Sequence, residues 1–167
     1  GMAKGAGMIA PNMATMLAFF TTDATVAPPL LRRALVAAVG ESLNRITVDG
    51  DTSTNDCALV LASGRAGAPP IEDALTDVAR QLAGMLVRDG EGVTRVAEVR
   101  VEGARTAEDA DRVARVVAES PLVKTALYGG DPNWGRILAA AGRAGVDLDG
   151  DRVSIWIGDV QVAENGV

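Results

Sequence analysis

Four short stretches of this chain carry side chains that can do chemistry. Thr15 follows Ala14 where a glycine-rich loop, Lys4-Gly-Ala-Gly-Met-Ile-Ala-Pro-Asn-Met, runs into the apolar segment Met16 to Phe20. A small residue before a threonine at the mouth of a strand is a layout for a self-cleaving peptide bond. The Thr15 hydroxyl would attack the Ala14 carbonyl, and cleavage would leave Thr15 with a free α-amine able to activate its own hydroxyl. Ala-Thr dipeptides are common, and a loop entering a buried strand is the ordinary reading of one. Lys4, upstream of Thr15, reads by itself as a solvated loop lysine. The second stretch, Val48-Asp-Gly-Asp-Thr-Ser-Thr-Asn55-Asp56, holds three hydroxyls, an amide and three carboxylates in nine residues. It suits an active-site lining or a solvated turn with capping chemistry. It is no complete calcium loop, because no terminal Glu falls in register. In the third stretch Glu91 sits between two glycines, where a side chain can project into a cleft or simply into water. In the fourth, Gly129-Gly-Asp-Pro-Asn133-Trp134-Gly-Arg136, the guanidinium can bind a substrate carboxylate and the indole can form a rim. A buried Trp beside a structural Arg–Asp pair accounts for it as well.

Composition narrows this chemistry. The 167 residues contain no histidine and one cysteine, which excludes Ser-His-Asp, Cys-His and histidine-ligated metal chemistry within the chain. A catalytic base must then be Lys, Asp, Glu, Tyr, Cys or an α-amine. Cys57, at the head of the apolar run Cys57 to Ala62, reads as a core residue; it cannot form an internal disulfide, so a reducing cytoplasm is the expected compartment. The net charge of −6 and the lack of a basic patch argue against nucleic acid or an anionic membrane as partner. No apolar run reaches spanning length, and no signal-peptide pattern opens the chain. Nothing in the residues calls for a metal or a cofactor.

The elements that must position these residues follow from periodicity. Apolar residues make up 48% of the chain but aromatics only 3%, so the core must be built from Val, Leu, Ala, Ile and Met. Met13 to Thr22 reads as a buried strand. Pro28-Pro29 introduces a helix from about Leu30 to Leu43, with Gly40 as its weak point. Cys57 to Ala62 is the next apolar segment, and Ile71 to Arg88 a helix with acidic residues in its first turns. Val96, Val99 and Val101 alternate as a strand. Thr106 caps a helix to about Glu119, with Asp109 at the capping-box position. Leu122 to Tyr128 reads as extended or mixed, Asn133 to Gly142 as a short helix, and Val146 to Val162 as a hairpin turning at Asp149-Gly150 and Gly158-Asp159. The clearest boundary runs from Glu91 to Arg95, giving parts 1–95 and 96–167.

Three of these stretches carry a family resemblance. Lys4 through Thr15 to Leu17 resembles, ungapped, the processing and nucleophile motif of the ornithine acetyltransferase (glutamate N-acetyltransferase, ArgJ) family. Asp49-Gly-Asp-Thr-Ser-Thr-Asn55-Asp56 and Gly129 to Leu138 resemble two further blocks of that family, in order. The resemblance implies part of a layered α-β-β-α sandwich in residues 1–95 and a smaller α+β lobe in 96–167. It implies transfer of the acetyl group of N-acetylornithine to glutamate in arginine biosynthesis, through an acetyl-Thr15 intermediate, after self-cleavage at Ala14–Thr15. Lys4 and Glu91 would contact substrate, the Asn55–Asp56 block would hold the floor of the site, and Asn133, Trp134 and Arg136 would be secondary. Family members are more than twice this length, so an internal piece is expected, with the oxyanion-stabilising residues upstream of residue 1 and further contacts beyond Val167. The partner chain made by cleavage and a homo-oligomer of two-chain protomers are implied too, while use of acetyl-CoA as donor stays open. Two other readings remain: an amide hydrolase or aminopeptidase of similar self-cleaving architecture, and a non-enzymatic binding or assembly domain.

Overall fold

The computed structural model describes residues 1–5, 16–50 and 55–167. It divides into two compact units, Gly1–Val93 and Thr94–Val167, and is mixed α/β.

In the first unit β1 (Met2–Lys4), β2 (Leu17–Thr22) and β3 (Cys57–Ala62) form a sheet in that order. β1 runs antiparallel to β2, and β2 parallel to β3 in the register Leu17↔Cys57 to Thr22↔Ala62. The parallel pair requires a crossover, and α1 (Pro28–Gly40) supplies it. Two prolines open α1, where missing amide protons are harmless. The helix stops at Gly40, short of the expected Leu43, and there the chain hands over to a 3-10 turn, Leu43–Arg45. Buried Ser42 explains the stop: its hydroxyl donates to the Ala38 carbonyl, which satisfies an end group of the helix locally. α2 (Glu72–Arg88) carries Glu72 and Asp73 in its first turn and Arg88 in its last, in keeping with its dipole.

Both helices contribute to one core with β2. Met16 just before β2, and Ala18 and Phe20 of β2, meet Ala34, Ala38 and Val39 of α1 and Leu75, Ala79, Ala83 and Leu86 of α2. The strand alternates, so Leu17 and Phe19 point to the opposite face and remain exposed, as do Leu59 and Leu61 of β3. Alanine dominates where helix meets sheet, which is how a chain so poor in aromatics brings its layers close.

In the second unit α3 (Ala107–Glu119), α4 (Pro121–Gly129) and α5 (Trp134–Ala141) surround Val113, Val117, Val123, Ala140 and Ala141. The Thr106 hydroxyl accepts from the Asp109 amide at 3.1 Å, the first half of the expected capping box. Two expectations are corrected here. Leu122 to Tyr128 is helical, because Ser120 caps it, Pro121 occupies its first turn, and Gly130 in the left-handed region closes it. Val96 to Val101 forms no strand among the described residues. Val99 and Val101 instead pack beside the helical core, so the alternating valines bury one side without a ladder. The terminal hairpin is shorter than expected: β4 (Ile155–Ile157) and β5 (Val160–Ala163) pair around Gly158-Asp159, and Gly150–Arg152 is a 3-10 turn. No helix among the described residues is long and apolar enough to cross a membrane.

Candidate functional site

The candidate cleavage pair, Ala14 and Thr15, lies outside the described residues, as do residues 51–54 of the polar block. The residue after the first of these stretches, Met16, meets the end of the polar block at Asp56 and Cys57. Met16, 3% exposed, is held at both of its backbone groups. Its amide donates to Asp56 Oδ1 at 2.7 Å, and its carbonyl accepts from the Cys57 amide at 3.1 Å. The polar block therefore ends directly on the residue that follows Thr15. The second carboxylate oxygen of half-buried Asp56 has almost no solvent contact and no hydrogen-bond partner among the described residues. Asn55, next to it, is exposed. Thr47 Oγ1, just before the block, is also buried without a partner among the described residues.

Lys4 ends β1 opposite Leu17, which is itself opposite Cys57. By the period of the strand these three side chains stand on the open face of the sheet, and Lys4 is exposed there. Glu91 follows α2 on the turn Asp89–Gly92, closed by a Val93 amide to Gly90 carbonyl bond of 3.1 Å, and is exposed. Gly92, at φ +71°, supplies a conformation that other residues rarely adopt. Among the described residues no ion pair joins Lys4 to Glu91.

Of the secondary residues, Asn55 and Asp56 belong to the first unit, and Asn133, Trp134 and Arg136 lie in the second, where Asn133 and Arg136 have local partners. Asn133 caps α5: its Oδ1 accepts from the Arg136 amide at 3.2 Å, and its Nδ2 donates to Asp131 Oδ2 at 2.9 Å. Arg136 Nη1 donates to the Leu122 carbonyl at 3.1 Å and to Thr125 Oγ1 at 3.2 Å, tying α5 to α4. Trp134 is half-buried at the first turn of α5. A small cavity of about 150 Å³ lies at the far end of β2, between Phe20, Thr22, Ile71, Leu75 and Val78. Its lining is mostly apolar and lacks ionisable side chains, so it offers no chemistry of its own.

The sequence reading missed the Met16 clamp. Nothing in the local pattern could reveal it, because the two residues are forty positions apart and meet only through the parallel β2–β3 register.

Comparison with known proteins decides the family. The ArgJ family matches residues 1–167, the whole chain. The chain belongs to the ArgJ family. Similar relatives are the arginine biosynthesis bifunctional proteins ArgJ of Dehalococcoides mccartyi and Symbiobacterium thermophilum, each 54% identical over 99% of this chain and 44% of their own length. The chain thus spans less than half the length of these ArgJ relatives. The crystal structure of arginine biosynthesis bifunctional protein ArgJ from Bacillus halodurans superposes with a TM-score of 0.86 at 42% identity, covering 91% of this chain and 76% of that one. The α/β architecture described above is therefore the ArgJ architecture over nearly all of the chain.

Proposed function

We propose that this chain is the part of an acetyltransferase of arginine biosynthesis that carries its nucleophile, Thr15, and that the nucleophile is released by self-cleavage at Ala14–Thr15. The observation that carries the reading is membership of the ArgJ family across the whole chain, Lys4 to Leu17 included, among relatives named for arginine biosynthesis.

In the precursor Thr15 has an amide nitrogen, so its hydroxyl cannot use an amine of its own. Attack on the Ala14 carbonyl carbon forms an ester and breaks the C–N bond. Water then resolves the ester to an Ala14 carboxylate and a Thr15 with a free α-amine. In turnover that amine takes the hydroxyl proton as Oγ attacks the acetyl carbon of N-acetylornithine, and the proton passes to the departing ornithine nitrogen. The amino group of glutamate next attacks the acetyl ester, giving N-acetylglutamate and free Thr15. Glu91 would pair with a substrate ammonium and Lys4 with a carboxylate.

The relatives' name, bifunctional, fits a second acetyl donor; acetyl-CoA is the candidate, and the resemblance leaves its use by this protein open. Cytoplasmic location and assembly of two-chain protomers into a homo-oligomer complete the proposal. The deciding experiment is mass spectrometry of the purified full-length protein. It should show two chains, the second starting at Thr15, and N-acetylornithine alone should add one acetyl group to that chain, which glutamate then removes. One uncleaved chain with full activity would sink the cleavage. Acetyl discharge to water without any need for glutamate would favour the hydrolase reading instead.

A further inference from the structure

The open face of the β1–β2–β3 sheet carries a single charge, and it stands at one end. Lys4 is the only charged residue in the three strands, and no ion pair among the described residues engages it. The register sets Lys4 opposite Leu17 and Leu17 opposite Cys57, so strand alternation puts these three side chains in one row. The next row is Met2, Phe19 and Leu59, all exposed and apolar.

The first row joins an unpaired ammonium to an apolar floor. Neighbouring strands lie about 4.8 Å apart, so the backbone of Lys4 is about 10 Å from that of Cys57, the scale of an extended five-carbon amino acid. Leu17, between them, is exposed. Cys57 is half-buried and has a shorter side chain than Leu59 and Leu61, its neighbours along β3 on the same face. Its amide donates to the Met16 carbonyl at 3.1 Å, which pins this end of β3 to the start of β2. The face therefore steps down at a fixed point, in line with a cation. That shape suits a molecule with an anionic head and a short methylene chain. N-acetylornithine and glutamate both have it: an α-carboxylate followed by an unbranched chain.

We infer that Lys4, Leu17 and Cys57 form one wall of the amino-acid pocket: Lys4 takes the carboxylate, Leu17 carries the methylene chain, and the short Cys57 side chain sets how long that chain can be. The inference rests on the acetyltransferase reading with Lys4 as a carboxylate contact, and it adds two specificity-determining residues to that site. Cys57 is then more than filler for the core, and its thiol lies where substrate covers it.

In the full-length protein Cys57→Leu fills the step. One methylene in an apolar pocket is worth roughly tenfold or more in selectivity. Aspartate is one methylene shorter than glutamate, so the ratio of their kcat/KM values as acetyl acceptors should rise in favour of aspartate by about threefold or more. A smaller change in a folded, active variant overturns the inference, because a merely structural residue would lower both values together and leave the ratio alone. Where Cys57→Leu does not fold or turn over, wild type decides through its own thiol. Methyl methanethiosulfonate should methylthiolate Cys57, read by peptide mass, and saturating N-acetylornithine should slow that labelling about fivefold or more. Weaker slowing, or a thiol that never reacts, overturns the row. The two readings fail separately. A wild type that moves no acetyl group from N-acetylornithine to glutamate overturns the transferase reading, and shielding of Cys57 by N-acetylornithine would still keep the row as an amino-acid site. A wild type that transfers normally, beside an unmoved ratio and an unshielded thiol, overturns only the row.

Discussion

Glu91 and Thr15 would serve different steps of the proposed reaction, and their variants should behave accordingly. Glu91 is exposed on a turn and is held by no ion pair among the described residues. Glu91→Gln should therefore leave melting and cleavage unchanged and weaken kcat/KM for the amino-acid substrates by roughly 1.5–3 kcal/mol, the worth of a charge-assisted bond. Steady-state kinetics checks this, and wild-type kcat/KM would remove Glu91 from the site. Thr15→Ala should remain one polypeptide and lose transferase activity, whereas Thr15→Ser should still cleave; denaturing electrophoresis separates the outcomes. At this scale Thr15, Lys4 and Glu91 were legible as candidates because an ungapped motif or flanking glycines mark them in the sequence. The Asp56–Met16 bond was not, since a polar block announces only that its side chains will bond to something. Which amide they reach is decided by strand register.

At the scale of elements, what was legible depended on whether the signal was local. α2 begins within one residue of its expected start and ends at Arg88, because its apolar stripe and terminal charges lie within its own sequence. α4 was hidden: Leu122 to Tyr128 is apolar with a single lysine, and such a run has no period to separate helix from strand. Its signals sit at its ends, in the Ser120-Pro121 start and the Gly129-Gly130 stop. Ser120 is buried, and its hydroxyl accepts from the Val123 amide. Ser120→Ala should consequently lower stability by about 0.5–2 kcal/mol, the usual cost of losing a cap, measurable by urea denaturation. The alanine contacts of the first unit make a sharper prediction. Ala79 of α2 is 0% exposed and packs in one cluster with Ala18, Phe20 and Ala38. Ala79→Leu must push the helix off the sheet and should destabilise by about 1–3 kcal/mol, despite adding apolar surface. A stabilised variant would mean that the layer has room to spare.

For the molecule as a whole, the unusual feature is the open face of the β1–β2–β3 sheet. Leu17, Phe19, Leu59 and Leu61 line it, with Met2 at its edge, and an apolar surface of this kind is seldom left to water. The layered sandwich implied by the sequence resemblance would cover it with a second sheet, and the relatives are long enough to provide one, since this chain spans 44% of their length. Two residues of nearly equal exposure separate a covered face from a solvated one. Leu61 on β3 is 63% exposed and Val36 on α1 is 66% exposed. Judged by this structure alone, lysine at either position should be tolerated, within about 0.5 kcal/mol as for ordinary surface changes. If the open face meets a second sheet in the full-length protein, Leu61→Lys buries an unpaired ammonium there and should cost roughly 3 kcal/mol or more. Val36→Lys stays in water and should cost almost nothing. Denaturant midpoints of the two full-length variants make the comparison, and the pair controls for the general effect of adding a positive charge to an acidic protein. Equal, small effects would leave the sheet face solvated and count against the sandwich. A loss confined to Leu61→Lys would place the rest of the core on this face, behind the strand that begins one residue after the clamped Met16 amide.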